Sequence, residues 1–416
     1  MLTSIITHLI AIVATLTSTA QAEATINDAY YANQTPYGDA AASTIRQAPD
    51  GYRLTFVETV GRHGARTLTS SARERRSLKI WDQAEKADAL TATGKTLAAD
   101  IEAFQKPEQR IGYGNLSAIG TAEWQGIGRR TASLYGDFLR EATAAGDEVV
   151  FKTSPVQRTV ESADAMRESL EQAVPGLKVP EYVTDGPRLL LGNGASIAGN
   201  RATDRILTSP EVTGAARDLL EGLYAADFVD EIEDPVEAAL DLYLLYSTAP
   251  GMAADTDVTF AQYVPLDDAK VLAYAVDAQN FYQFGPGVAG EDNSYRAARP
   301  LLEDFLTSLD ERLAGGSTAA VFRLAHGETT MPFAALTQLP GSDHQASDTY
   351  TYDDNPWRGF VAGRLGGNVE WAAYTDDDGE ALVTVRYNEQ PVELASRCTA
   401  TVRYFYRPAE LERCLG

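Results

Sequence analysis

The sequence predicts an α/β fold: a mostly parallel sheet flanked by helices, with an inserted, mainly helical cap subdomain. Three observations lead there. First, three short runs rich in β-branched and aromatic residues pass directly into polar residues: 52–59 (YRLTFVET), 149–153 (VVFKT) and 319–324 (AAVFRL). Such runs read as buried strands. Second, helical patterns lie between the first two, at 84–104 and 119–144, and strands alternating with helices predict a parallel sheet covered on both faces. Third, from Asp218 to Asp268 there are thirteen acids and no Lys or Arg, and 234–246 (DPVEAALDLYLLY) reads as a helix with Pro near its start. This acidic helical stretch fits a cap over roughly 185–300. Later runs at 369–374 and 382–387 read as further strands closing the sheet. Ligands of such sheets bind beyond the carboxyl ends of the strands, where all three polar motifs fall.

The chain has 416 residues, with 35 Lys+Arg against 59 Asp+Glu and a net charge of −24. That length suits a core domain plus an inserted unit. Its 44% hydrophobic and 9% aromatic content excludes disordered and fibrous classes. The acidity argues against nucleic acid and anionic membrane as partners, since both select basic surfaces. Residues 1–22 carry no charged side chain, 5–16 is mostly apolar, and Ala20-Gln21-Ala22 has the form of a cleavage site. The expectation is a signal peptide over 1–22, removed before Glu23, with the domain occupying 23–416. The apolar run is shorter than the roughly 20 residues of a membrane span, so the expected location is periplasmic or extracellular, without a stable membrane anchor. The two cysteines, Cys398 and Cys414, read as one disulfide pinning the C-terminal tail in an oxidising compartment; two reduced core thiols are the alternative. Asn33-Gln34-Thr35 and Asn115-Leu116-Ser117 are glycosylation sequons, meaningful only in a eukaryotic secretory host.

Histidine is scarce. His8 leaves with the signal peptide, and His344 falls in a polar loop. His63 and His326 each follow a predicted strand and each precede Gly. Arg62 and Arg66 flank His63, and Arg158 follows the second strand. Guanidinium groups bind phosphate through forked, charge-assisted hydrogen bonds. A neutral histidine among them, with one ring nitrogen held so that the other faces the phosphorus, is suited to nucleophilic attack. Glu328, two residues past His326, places a carboxyl acid near the leaving oxygen. Surface ion pairing of the arginines with the many acids is the competing reading.

Arg62-His63-Gly64-Ala65-Arg66 resembles the RHGxR signature of the histidine phosphatase superfamily, in its acid phosphatase branch. Leu116-Ser117-Ala118-Ile119-Gly120 resembles the L-[ST]-x-x-G step of that branch, and 154–163 (SPVQRTVESA) its second phosphate-arginine motif. Ala325-His326-Gly327-Glu328-Thr329 resembles the HAET motif of multiple inositol-polyphosphate phosphatases; 281–287 (FYQFGPG) and 387–392 (YNEQPV) are similar to that subgroup too. The resemblance extends from about Tyr52 to Cys414. It implies that His63 is the phosphorylated nucleophile, that Arg62, Arg66, Arg158 and His326 hold the phosphoryl oxygens, and that Glu328 protonates the leaving group and then activates water. Two departures stand out: Thr67-Leu68 follow Arg66 where a proline is common, and Gly327 replaces the usual Ala.

Residues 62–79 hold Arg62, Arg66, Arg73, Arg75, Arg76 and Lys79 against Glu74. Basic charge is therefore focused beside the proposed nucleophile in an acidic chain. This favours a substrate with several phosphates, with Arg73, Arg75, Arg76 and Lys79 as contacts to distal phosphates; a basic helix face paired with the acidic cap is the alternative. The expectation is an exported phosphomonoesterase acting on inositol polyphosphates such as phytate, with no metal or organic cofactor and a small-molecule substrate as partner. A broad-specificity acid phosphatase and an inactive phosphate-binding module are the competing functions.

Overall fold

The computed structural model describes residues 30–38, 45–180, 182–394 and 397–416; the signal peptide expected over 1–22 lies outside them. β1 (Arg53–Arg62) is followed by α1 (Ala72–Lys86), α2 (Gly94–Ile111), α3 (Ala118–Ala145), β2 (Glu148–Thr153), α4 (Gln157–Ala173) and the short β3 (Val183–Thr184). Four longer helices come next: α5 (Ile197–Leu207), α6 (Pro210–Glu221), α7 (Pro235–Thr248) and α8 (Leu266–Phe284). The chain then returns to the sheet through α9 (Arg299–Leu313), β4 (Thr318–Ala325), α10 (Gly327–Leu336), β5 (Asn368–Thr375), β6 (Ala381–Tyr387), β7 (Gln390–Pro391), β8 (Phe405–Tyr406) and α11 (Pro408–Leu415).

The sheet is mixed, in the order β3-β2-β4-β1-β5-β6-β7, with β8 on β6. β4 lies between β1 and β2 and runs parallel to both. Arg62 pairs with Ala325 and Thr153 with Leu324, so the three motif-bearing strands end level at one edge. β5 and β6 run antiparallel. Side-chain alternation along each strand builds two cores. Val57, Phe151 and Phe322 meet Trp124, Ile127 and Met166 of α3 and α4 on one face. Phe56, Val60 and Val321 meet Leu301, Phe305 and Phe333 of α9 and α10 on the other.

A further core is built mainly from helices: Leu97, Ile101 and Phe104 of α2 pack with Leu219 of α6, Leu242 of α7 and Leu272 of α8. The helical pattern read over 84–104 is in fact broken. Asp88 adopts φ 55°, and Ala89 N donates to the Ala84 carbonyl at 2.8 Å, a stop of the Schellman type. Ala84, Leu97 and Ile101 enter the same core from both sides of the stop, so the apolar period runs on although the helix does not. Helix starts follow capping chemistry: Ser117 accepts from Gly120 N at 3.1 Å, and Asp234, ahead of Pro235, from Glu237 N at 2.9 Å.

Candidate active site

Where β1 ends, His63 N still donates to Ala325 O at 2.9 Å, and the chain then turns at Gly64 and Ala65 against the first turn of α3. A side chain does not fit there. A Cβ on Gly64 would lie 2.4 Å from Gly120 O, and one on Gly120 2.0 Å from Ala65 O. The Leu-Ser-x-x-Gly step therefore has a physical reading: Ser117 caps α3, and Gly120 admits the loop after the histidine. One turn on, the Glu123 carboxylate accepts from Ala65 N at 2.7 Å and Tyr37 N at 2.6 Å. Trp124 Nε1 donates to Arg62 O at 3.1 Å. Gly64 N donates to Ser162 Oγ at 3.2 Å, and that hydroxyl donates to Arg158 O at 2.8 Å, joining the loop to α4.

His63 and His326 are both buried, with ring centroids 5.5 Å apart. His63 Nδ1 lies 2.8 Å from Gly64 O. A carbonyl oxygen only accepts, so this contact places the proton on Nδ1 and leaves the lone pair on Nε2. His326 Nε2 lies 2.7 Å from Ser154 Oγ, while its Nδ1 is buried without a partner. With the Ser154 hydroxyl donating to Nε2, Nδ1 carries a hydrogen for an incoming acceptor.

Arg62 Nη1 donates to the carbonyls of Asn33 and Gly363, and Arg66 Nη1 to Thr67 O at 2.7 Å. The Nε groups of Arg62, Arg66 and Arg158 are all buried without a partner. Burial, and then the three arginines, hold His63 well below the ordinary histidine value. Burial, and then Arg158, Arg62 and Arg66, push His326 down to about 3. Both rings are neutral at ordinary pH. Burial and mutual repulsion also lower Arg62 and Arg66, and burial lowers Arg158; Glu328, half-buried in the first turn of α10, is the negative charge that opposes the shift in all three. Three desolvated cations with unused N–H groups around a neutral, tautomer-fixed histidine make a receptor for a tetrahedral oxyanion. Arg62, His63, Arg66, Arg158, His326 and Glu328 are thus brought together.

The other predicted residues lie elsewhere. Arg73 Nη1, Arg76 Nε and Arg76 Nη2 each approach the buried carboxylate of Asp241 on α7 at 2.6 Å. The structure turns these two arginines to the acidic helix and not to the arginine cage. Arg75, exposed, donates to Ser71 Oγ, and Lys79 is exposed. Cys398 and Cys414 form a disulfide that ties α11 to the preceding loop. His344 is exposed beside Asp343, at 2.8 Å. At the sequons, Asn115 Nδ2 donates to Ile111 O at 3.0 Å, and Asn33 is half-buried with its Oδ1 accepting from Gln34. Glu123 and Gly363 stand in no quoted motif, Asn33 stands only in a sequon, and nothing in the 154–163 motif marks the Ser162 hydroxyl. Ser154 stood in a quoted motif, but nothing there marked its hydroxyl as the partner of His326.

The site and its sheet edge are those of a phosphoric monoester hydrolase. Residues 53–190 match the family described as histidine phosphatase superfamily (branch 2). Among solved structures, Bifidobacterium longum multiple inositol polyphosphate phosphatase in complex with inositol hexasulfate matches with TM-score 0.88 and 28% identity, over 93% of this chain and 97% of that one. The same protein in complex with phosphate matches at TM-score 0.88 and 27% identity, with the same coverage. The phytase of D. castellii shares the fold at TM-score 0.71 and 15% identity, over 96% of this chain and 88% of that one. No curated protein sequence matches the chain.

Proposed function

We propose that this protein is an exported phosphatase of inositol polyphosphates, phytate among them, working through a phosphohistidine at His63. The observation that carries the chemistry is the pair of buried facts at its centre: a neutral His63 with its proton fixed on Nδ1, and three arginine Nε groups without a partner around it. In the first step the His63 Nε2 lone pair forms a bond to phosphorus as the phosphorus–oxygen bond to the inositol carbon breaks. Arg62, Arg66, Arg158 and His326 Nδ1 receive the phosphoryl oxygens, and Glu328 delivers a proton to the departing alkoxide. In the second step a water oxygen bonds to the phosphorus as the phosphorus–Nε2 bond breaks, Glu328 takes a proton from that water, and inorganic phosphate leaves with His63 restored. The choice of inositol polyphosphates draws support from the likeness, across nearly the whole chain, to the Bifidobacterium enzyme in complex with inositol hexasulfate.

Export is supported by the leader-like segment 1–22 and by the Cys398–Cys414 disulfide, a bond that persists in oxidising compartments. Among the described residues no helix is long and apolar enough to cross a membrane. The decisive experiment is a rapid-quench turnover of phytate carrying labelled phosphate. The expected result is acid-labile label on the peptide containing His63, absent from His63→Ala, together with stepwise release of lower inositol phosphates. Label and activity surviving in His63→Ala would overturn the mechanism; no turnover of phytate beside rapid turnover of an aryl phosphate would overturn the substrate.

A further inference from the structure

Arg62 is gripped from behind by backbone. Its Nη1 donates to two carbonyls, Asn33 O and Gly363 O, that come from opposite ends of the chain. Asn33 belongs to a one-turn 3-10 segment, Ala32–Gln34, and Gly363 follows a one-turn helix, Gly359–Ala362, with Gly363 N donating to Gly359 O at 2.9 Å. Both segments abut Asp277, a fully buried acid on α8. Its Oδ2 accepts from Gly359 N at 2.9 Å and from the Tyr352 hydroxyl at 2.7 Å. A Cβ built on Gly359 would stand 2.1 Å from Asp277 Oδ1 and 3.1 Å from Asn33 N, so acid, turn and N-terminal segment converge. The Tyr352 end is rigid as well: the Arg358 guanidinium sits 4.0 Å over its ring and donates to the carbonyls of Tyr352, Asn355 and Trp357.

A carboxyl with neighbours such as Ala273, Ala278 and Phe281 is costly to bury, and directed hydrogen bonds are what it offers in return. We infer that Asp277 is a positioning residue for Arg62. It pins the turn that presents the Gly363 carbonyl, and that carbonyl, with Asn33 O, fixes the direction in which Arg62 Nε faces the phosphoryl group. The inference rests on the role proposed above for Arg62 as a holder of that group.

The test is a double-mutant cycle: kcat/KM on an aryl monophosphate, and affinity for orthovanadate, in the wild type, Asp277→Asn, Arg62→Ala and the double variant. Asp277→Asn is expected to lower kcat/KM about 5- to 20-fold, with a parallel loss of vanadate affinity, since misplacement by a fraction of an ångström weakens an aligned site. Arg62→Ala is expected to lose about 100-fold or more, and the double variant no more than Arg62→Ala, because the second change acts through a group already gone. Full multiplication of the two losses, or wild-type kcat/KM in Asp277→Asn, would overturn the inference while leaving the phosphatase reading intact. Wild-type activity in Arg62→Ala would instead overturn the role of Arg62 itself. Tyr352→Phe removes one of the two donors without altering the acid, and it carries the same cycle if Asp277→Asn folds poorly. Its expected loss is about 2- to 5-fold, again absent in the Arg62→Ala background.

Discussion

A methyl group on Gly327 would lie 3.2 Å from Nε and 3.3 Å from Cζ of Arg62. Those are the atoms that face the cage, and on the far side Arg62 is fixed by two carbonyls. Gly327 is one of the two places where the sequence departs from the motif it resembles, so the glycine and the closeness of Arg62 belong together. Gly327→Ala must shift Arg62 by a few tenths of an ångström, while Met331 Cε, 3.4 Å from the same point, is already at ordinary contact distance. We expect kcat/KM to fall about 3- to 5-fold with the melting temperature nearly unchanged. A gain in activity would show that Arg62 sits too far forward in the native site.

Acid should destabilise the protein through its histidines. Folded His326 resists protonation down to about 3 and folded His63 also lies well below its ordinary value, whereas both protonate near pH 6.5 when unfolded. Between these limits the unfolded chain binds more protons, so stability is present above about pH 6.5 and is lost as pH falls toward 3. Each group contributes a slope of at most about 1.4 kcal/mol per pH unit. His326→Asn should flatten the urea-derived stability curve between pH 6.5 and 4. Parallel curves for variant and wild type would show that His326 is protonated in the fold.

Glu328 should matter in proportion to how badly the leaving group needs a proton. An inositol alkoxide needs one, and a nitrophenolate scarcely does. In single-turnover phosphorylation, Glu328→Gln is expected to lose about 100- to 10,000-fold on phytate and far less on nitrophenyl phosphate. Dephosphorylation is to be timed separately, since the same residue serves there as base. Equal losses of phosphorylation rate on both substrates would remove Glu328 from the role of acid.

Arg73 and Arg76 should behave as ties between α1 and α7. Asp241 is buried and takes hydrogen bonds from both, so removing one arginine leaves a carboxylate less well compensated. With the arginines about two-fifths exposed, Arg76→Gln is expected to cost about 1–3 kcal/mol of stability. The ratio of kcat/KM on phytate to that on an aryl monophosphate should hold steady. A selective loss on phytate would return these arginines to the substrate.

The legible part of this molecule was the part with strong local chemistry. The runs at 52–59, 149–153 and 319–324 hold their apolar character because both sheet faces are covered, and each delivers its motif to the same edge. Scarcity made His63 and His326 visible, since few other histidines competed with them. What stayed hidden depends on contacts far apart in sequence. Nothing in 369–374 or 382–387 encodes that β5 and β6 run antiparallel. Asn33 and Gly363 act through backbone carbonyls, which leave no mark in residue type, and Asp277 is one acid among many until the fold sets its carboxylate against Gly359 N. The basic cluster shows the converse: its charge was plain, but only the packing of α1 on α7 reveals that Asp241 claims two of its arginines.

The place of β4 between β1 and β2 sets an order of events during synthesis. β1 and β2 leave the ribosome early, yet neither has its shared neighbour until Thr318–Ala325 has been made. The grip on Arg62 waits longer still, for Gly363. No amino-terminal fragment can therefore assemble a working cage, and a nascent chain stays a poor phosphatase until nearly its last residues. Pairings of such long sequence separation also fold slowly. For a chain that, on our proposal, is exported, the delay is useful: phosphate esters on the side of synthesis are spared.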